Sequence, residues 1–188
     1  LHGAGVLSEN AVTVAYSYIG PKLTYPIYYD GTIGQAKRHL TKTAEKINEK
    51  YSDIKAYISV NKALVTQASA AIPIVPLYFA ILYKVMKAQG THEGCIEQIS
   101  RLFHEKLFVE KPVTDEQGRI RMDDWELSDE VQDKVMECWK NVTTENVTEL
   151  SDIDGYWQDF YQMFGFHINS VDYTKDVDLE VAIPSLKA

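Results

Sequence analysis

The chain has 188 residues, 45% hydrophobic and 24% charged, so it is long enough for one compact core and has an ordinary globular composition. Its 19 basic and 27 acidic residues give a formal net charge of −8, which argues against nucleic-acid binding as its main function. No apolar run reaches the ~18 residues of a membrane-spanning helix, so no membrane span is expected.

The first half of the chain predicts a β-strand, a helix and a second β-strand. Residues 12–19 are β-branched and aromatic and are followed by a glycine and a proline, which is typical of a buried strand. Apolar residues then recur at helical spacing over residues 33–51, and residues 56–64 form a second strand-like run. This order predicts a βαβ unit of a parallel sheet, with a ligand at the carboxyl ends of the strands.

The second half predicts mainly helices. A connector of small residues and prolines over 65–76 is followed by predicted helices over 77–87 and 92–108 and by a polar segment over 110–124. Ser128 is predicted to cap the next helix, and a capping box at Ser151–Asp154 is predicted to begin the last one, which ends at Gly165. These helices indicate a helical subdomain behind the predicted βαβ unit.

Neither a metal site nor a glycine-rich phosphate loop is predicted. The segment THEGC at 91–95 has the wrong spacing for two metal ligands on one helix face, and no second cluster partners it. Asp123 and Asp124 beside Trp125 are interpreted as capping or solvated charge. No GxGxxG follows a predicted strand, so this chain does not supply the usual dinucleotide phosphate site.

Four long segments carry a resemblance to one family. They are AYSYIGPKLTYPIYYDGTIGQAK, SVNKALVTQASAAIPIVPLY, LYKVMKAQGTHEGCIEQISRLF and GRIRMDDWEL. From about Val12 to about Asp178 the chain resembles the single-chain NADH-dependent trans-2-enoyl-CoA reductases, also described as enoyl-acyl-carrier-protein reductases. Members of that family are longer and carry the glycine-rich loop in an N-terminal half, so this chain is similar to the C-terminal half of such an enzyme.

The resemblance implies a fold and a reaction. We expect an α/β fold in which residues 1–90 are part of a Rossmann-like catalytic domain and residues 91–188 are a helical subdomain with an acidic tail. The implied reaction is reduction of the trans-2 double bond of enoyl-CoA or enoyl-acyl-carrier-protein thioesters in fatty-acid synthesis, with hydride from NADH and without metal or flavin. The implied partner is the N-terminal half of the same enzyme, in the cytoplasm or alternatively in an organellar matrix.

The catalytic pair implied by the resemblance is Tyr28 and Lys37, which are separated by eight residues and a glycine-bearing turn. A free phenol titrates near ~10, and a nearby cation favours its ionised form. By residue type alone, Tyr28 also fits a half-buried structural tyrosine and Lys37 a solvated helix lysine. The resemblance makes Tyr28 the proton donor and makes Lys37 the residue that holds the cofactor ribose; the adjacent Tyr29 lacks the spacing.

Further site residues follow from the same resemblance. Tyr18 at the end of the first predicted strand would contact the thioester, with packing in the core as its alternative. Thr66, Gln67 and Ala68 would contact the cofactor, and Ser69 would shape the acyl pocket, whereas a plain strand-to-helix connector is the alternative for each side chain. The competing function is a non-catalytic α/β module that binds an acyl thioester or a partner chain.

Overall fold

A computed structural model describes residues 1–182, and it contains one parallel sheet of three strands in the order β1-β2-β3. The strands are β1 (Ala11–Ser17), β2 (Ile54–Val60) and β3 (Arg119–Arg121). β1 pairs with β2 from Ala11↔Ile54 to Ser17↔Val60, and β2 pairs with β3 from Ile58↔Arg119 to Val60↔Arg121. The predicted α/β class and its parallel βαβ unit are therefore confirmed.

The described part of the chain also contains eight α-helices. They are α1 (Tyr25–Tyr28), α2 (Thr32–Lys50), α3 (Gln67–Ala71), α4 (Val75–Gln89), α5 (Cys95–Arg101), α6 (Asp129–Asn141), α7 (Val147–Leu150) and α8 (Ile153–Gln162). Of these helices, α2 packs against β2. Short 3₁₀ turns lie at His2–Ala4 and Lys22–Thr24, and α5 continues as a π-helical segment over Leu102–Leu107. The helix predicted over 92–108 thus begins at residue 95 and changes its hydrogen-bond pattern halfway.

Two of the strand predictions were wrong. β1 was predicted to be buried, but Tyr16 is 52% exposed and Val12 is exposed as well. Within the described residues, β1 is an edge strand that pairs only with β2. β3 lies inside the segment that was predicted to be a polar excursion. Its Arg-Ile-Arg sequence buries only Ile120, so the strand carries almost no apolar signal.

The N-cap of α6 agrees with the prediction, whereas the N-cap of α8 differs from it. The Ser128 hydroxyl accepts a hydrogen bond from the Val131 amide at 3.4 Å, as an N-cap should. The capping box predicted to begin at Ser151 was wrong. Asp152 is the N-cap of α8 and accepts from the Gly155 amide at 3.2 Å, whereas the Ser151 hydroxyl donates backwards to the Val147 carbonyl.

The core is built around α4, which is buried on almost every side. α4 packs against α6 and α8, and α1 contributes Tyr28 to the same cluster. A smaller cluster over Leu102, Leu107, Ile120 and Met122 lies next to β3.

Within residues 1–182, no helix has both the length and the apolar character required to cross a membrane. Residues 183–188, the end of the predicted helical subdomain and its acidic tail, lie outside the described residues.

Candidate active site

A cleft of about 400 Å³ opens at the carboxyl ends of the three parallel strands. Ser17, Val60 and Arg121, the last residues of β1, β2 and β3, all contribute to its lining. Tyr28 and Lys37 line the same cleft from α1 and α2. Ligands of open parallel sheets bind outside the carboxyl ends of the strands, so the two predicted catalytic side chains lie where the topology expects a ligand.

Tyr18, Tyr28 and Lys37 form one compact group. The Tyr18 and Tyr28 rings meet edge to face, with centroids 4.9 Å apart at 83°. Lys37 Nζ lies 4.7 Å from the Tyr28 ring centroid and 5.8 Å from that of Tyr18, and it donates a hydrogen bond to the Tyr18 carbonyl oxygen. The lysine is thereby tied to the end of β1 with its cation over the face of the Tyr28 ring.

Burial sets the protonation of this group. Desolvation raises the pKa of Tyr28, and the Lys37 cation does not reverse that direction. Desolvation also lowers the pKa of Lys37 to about 8. Tyr28 is therefore a protonated phenol at neutral pH. Lys37 is a cation at neutral pH, but it loses its proton at a lower pH than an ordinary lysine.

The close contact of α1 with α2 places Tyr28 beside Lys37, and it depends on Gly34. A Cβ at Gly34 would overlap the carbonyl oxygen of Tyr29, immediately after α1. We expect Gly34→Ala to push α1 off α2, separate Tyr28 from Lys37 and destabilise the protein by about 1–3 kcal/mol. The measurement is urea unfolding of Gly34→Ala and of the wild type.

Gly3→Ala is the matched control for that substitution. A Cβ at Gly3 would meet nothing within 4 Å, and the backbone there is not left-handed. Unchanged stability in Gly34→Ala would show that the close contact of α1 with α2 does not depend on Gly34.

The other predicted site residues lie at the beginning of α3. Thr66, Gln67 and Ala68 are exposed and do not line the cleft that contains Tyr28. Ser69 is buried, and it forms a capping box with Thr66: the Ser69 hydroxyl accepts from the Thr66 amide at 2.9 Å, and the Thr66 hydroxyl accepts from the Ser69 amide at 3.1 Å. Both side chains therefore fix the local backbone.

Sequence reasoning missed a buried carboxylate, Glu126. Its Oε1 atom accepts hydrogen bonds from the hydroxyls of Tyr18 (2.9 Å) and Tyr78 (2.7 Å), and its Oε2 atom accepts from the Ala63 amide (2.7 Å). Glu126 is 0% exposed, and burial raises its pKa. The one available signal was an acidic residue between Trp125 and Leu127, within a segment that otherwise appeared to be solvated.

Tyr156 of α8 was also missed. It is fully buried in the core cluster that contains Tyr28, and its hydroxyl has no hydrogen-bond partner in the described part of the chain. Burial raises the pKa of Tyr156, and its charge when ionised would raise the pKa of Tyr28. An unpaired buried hydroxyl is costly, and Tyr156 is not among the residues that line the cleft.

The two aspartates interpreted as capping or solvated charge are members of ion-pair networks. Asp123 is fully buried and binds Arg121 through two hydrogen bonds of 2.6 and 2.7 Å. Asp124 binds Arg101 at 2.9 Å and Lys106 at 2.8 Å. Among residues 1–182, no three His, Cys, Asp or Glu side chains converge as a metal site.

Comparison with protein families gives two matches along the chain. Residues 1–108 match the family model described as the trans-2-enoyl-CoA reductase catalytic region. Residues 114–177 match one described as an enoyl reductase FAD binding domain. The first match alone covers more than half of the chain.

Curated relatives are similar over almost the whole chain. An enoyl-[acyl-carrier-protein] reductase [NADH] of Cytophaga hutchinsonii is 58% identical over 186 residues, which are 97% of this chain and 47% of that protein. A trans-2-enoyl-CoA reductase of Euglena gracilis is 54% identical over 98% of this chain and 34% of its own length. The chain thus spans about half the length, or less, of the relatives it matches.

Solved structures share the fold. The trans-2-enoyl-CoA reductase of Treponema denticola in complex with NAD superposes with a TM-score of 0.90 at 49% identity, over 94% of this chain and 45% of that one. A Clostridium reductase in complex with NADH gives a TM-score of 0.90 at 52% identity, over 94% and 46% of the two chains.

Proposed function

This chain belongs to the trans-2-enoyl-CoA reductase family, and from that premise we propose that the protein reduces the trans-2 double bond of enoyl thioesters with NADH in fatty-acid synthesis. The observation that carries the proposal is that Tyr28 and Lys37 line the cleft at the carboxyl ends of the parallel strands, with the Tyr18 ring packed against Tyr28. The relatives named above comprise both acyl-carrier-protein and CoA reductases. The common chemistry is an α,β-unsaturated thioester.

NADH fits the polar groups on this side of the sheet. The Tyr156 hydroxyl is buried without a partner among the described residues, which is a reason to expect a polar ligand beside Tyr28. We propose that Lys37 holds the ribose and that the exposed residues Thr66, Gln67 and Ala68 contact the cofactor from the start of α3. Bound NADH would supply the hydride for the β-carbon of the substrate.

FAD, which the description of the second family model names, does not fit the same region as well. The basic side chains that reach the cleft from residues 114–177 are Arg119 and Arg121. Asp115 binds Arg119 at 2.8 Å, and Asp123 binds Arg121 at 2.6 Å. With their charges compensated by carboxylates, neither arginine is free to neutralise the pyrophosphate of a flavin dinucleotide, and we derive no step through FAD.

The residues of this chain would handle the proton and the thioester oxygen. We propose that the protonated Tyr28 hydroxyl donates a hydrogen bond to the thioester carbonyl and then a proton to the enolate, in line with its raised pKa. Lys37 would stabilise the negative charge that develops on the Tyr28 oxygen. Tyr18, whose ring packs against Tyr28, would contact the thioester, and Ser69 would shape the acyl pocket.

The lowered pKa of Lys37 predicts a pH effect. The lysine is a cation below pH about 8 and is neutral above it, so kcat/KM should fall as the pH rises through that value. Lys37→Arg should remove this fall, because a guanidinium stays charged across the range. The measurement is kcat/KM against pH for both proteins.

Buried Lys62 is the competing source of such a pH effect, since burial also lowers its pKa to about 8. If the fall in kcat/KM persists unchanged in Lys37→Arg, then Lys37 is not the group responsible, and the role assigned to its cation would be wrong.

The partner proposed for this chain is an N-terminal half that completes the sheet. Within residues 1–182, β1 pairs with β2 alone, and its outer edge presents unpaired backbone groups. The relatives are about twice as long or longer. We therefore propose that residues 1–90 complete a Rossmann-like domain together with that half, and that residues 91–188, which also supply β3 to this sheet, are the helical subdomain.

The test of the proposed function is NADH oxidation by the full-length protein, followed with and without crotonyl-CoA. Oxidation that depends on crotonyl-CoA supports the reductase. Tight binding of crotonyl-CoA without NADH oxidation would favour a non-catalytic module that binds acyl thioesters.

A further inference from the structure

Glu126 lies between β3 and α6, outside every group of residues assigned above to cofactor or substrate, and yet it is hydrogen-bonded to the site. A carboxylate that is 0% exposed is costly to bury unless its oxygens are satisfied. Glu126 satisfies them with three donors from three different segments of the chain. Such an arrangement holds the carboxylate in one position.

Two of these donors serve as anchors. The Ala63 amide, just after β2, donates to Oε2 at 2.7 Å, and the Tyr78 hydroxyl of the buried helix α4 donates to Oε1 at 2.7 Å. Gln132 fixes the backbone as well, since its side-chain amide donates to the Glu126 carbonyl oxygen at 2.6 Å. Neither Ala63 nor Tyr78 lines the cleft.

The third donor is Tyr18, whose ring packs edge to face against Tyr28 at 4.9 Å. Its hydroxyl hydrogen points to Glu126 Oε1, the atom that Tyr78 already holds. The orientation of the Tyr18 phenol, and hence of the ring surface against Tyr28, is therefore determined by a residue more than a hundred positions later in the chain.

We propose that Glu126 is a positioning residue that fixes the Tyr18 phenol against Tyr28. The inference rests on the proposed reductase function for its kinetic consequence, but its structural part does not. Glu126 touches neither substrate nor cofactor in this account and acts only through Tyr18.

Lys62 is a further charged group close to Glu126. Lys62 is 1% exposed and attracts Glu126 electrostatically, while its ammonium donates to the Ala63 and Glu93 carbonyl oxygens at 2.9 and 3.1 Å. Tyr18 also lies near the hydroxyl of Tyr78, the ring of Tyr28 and the ammonium of Lys37. The pKa of Tyr18 is well above its usual value because of burial and then the charge of Glu126.

The kinetic test is a double-mutant cycle in the full-length protein with crotonyl-CoA and NADH. We expect Tyr18→Phe, which removes a hydrogen bond to a charged group, and Glu126→Gln, which makes that group neutral, each to lower kcat/KM by about 10–100-fold. If Glu126 acts through Tyr18, kcat/KM of the double variant should be within about twofold of kcat/KM of the less active single variant. Losses that multiply would overturn the proposal.

A second readout does not depend on activity. Tyrosine carrying an isotope label at Cζ gives one NMR signal per residue, and Tyr18→Phe identifies the Tyr18 signal. In Glu126→Gln we expect that signal to move, because the Tyr18 hydroxyl then faces a neutral amide in place of a carboxylate. A Tyr18 signal identical to that of the wild type would overturn the proposal even if the protein proved not to be a reductase.

Two variants complete the design. The exposed Glu130, in the first turn of α6, provides the matched control Glu130→Gln, which should change neither readout. If Glu126→Gln does not fold, Tyr78→Phe removes an anchor from the same oxygen and should also move the Tyr18 signal. An unmoved signal in Tyr78→Phe would count against a carboxylate held for Tyr18.

Discussion

Replacing Tyr28 by phenylalanine is expected to lower kcat for enoyl-thioester reduction by about 10²–10⁴-fold, the range for loss of a general acid. The ring would remain in its core cluster, packed against Tyr18, so the loss should come from the hydroxyl alone. The measurement is steady-state NADH oxidation with crotonyl-CoA, accompanied by thermal unfolding to show that the variant is folded.

Tyr29→Phe is the matched control for that experiment. Tyr29 is adjacent in sequence, but its ring stacks on Tyr25 at 4.7 Å and is 42% exposed. It should keep most of the wild-type activity. Equal losses in the two variants, or a Tyr28→Phe protein that remains fully active, would mean that the proton comes from another group.

The largest expected effect on stability is that of Arg101→Ala. Arg101 is the centre of a buried network: it donates to Glu93 at 2.6 and 2.7 Å, to Asp124 at 2.9 Å and to the Met122 carbonyl oxygen at 2.8 Å. Its side chain is 5% exposed and that of Glu93 is 6% exposed. Removing the guanidinium leaves a buried carboxylate without a partner, which costs about 3–5 kcal/mol.

Urea unfolding of wild type and Arg101→Ala measures that cost. The control is Lys175→Ala, because Lys175 faces Asp172 at 3.8 Å with both side chains well exposed, and such pairs contribute about 0–1 kcal/mol. If Arg101→Ala lost no more stability than Lys175→Ala, the network around Arg101 would not hold α5 to the segment after β3.

Local patterns in the sequence predicted the elements that are long or strongly periodic. The apolar spacing of residues 33–51 gave the helix α2, and the two β-branched runs gave β1 and β2 as a parallel pair. The Ser128 cap could be predicted because its partner is three residues away. The side chains of Tyr28 and Lys37 were expected to meet, and they do so across the contact of α1 with α2.

The sequence could not show what depends on distant partners. β3 is three residues long and has one buried side chain, so only its pairing with β2 makes it a strand. Glu126 is linked to the site because it accepts hydrogen bonds from Tyr18 and Tyr78, which are 108 and 48 positions away in sequence. Asp123 and Asp124 resembled solvated charge because the arginines and the lysine that bind them cannot be identified from spacing alone.

The proposed role of Tyr28 is to donate the proton to a thioester bound in the cleft. A crystal structure of the full-length protein with NAD⁺ and crotonyl-CoA tests it most directly, through the distance from Tyr28 Oη to the thioester carbonyl oxygen. We predict a hydrogen bond of about 2.6–3.2 Å. A thioester oxygen bound by Tyr156 or by solvent, with Tyr28 out of reach, would contradict the account.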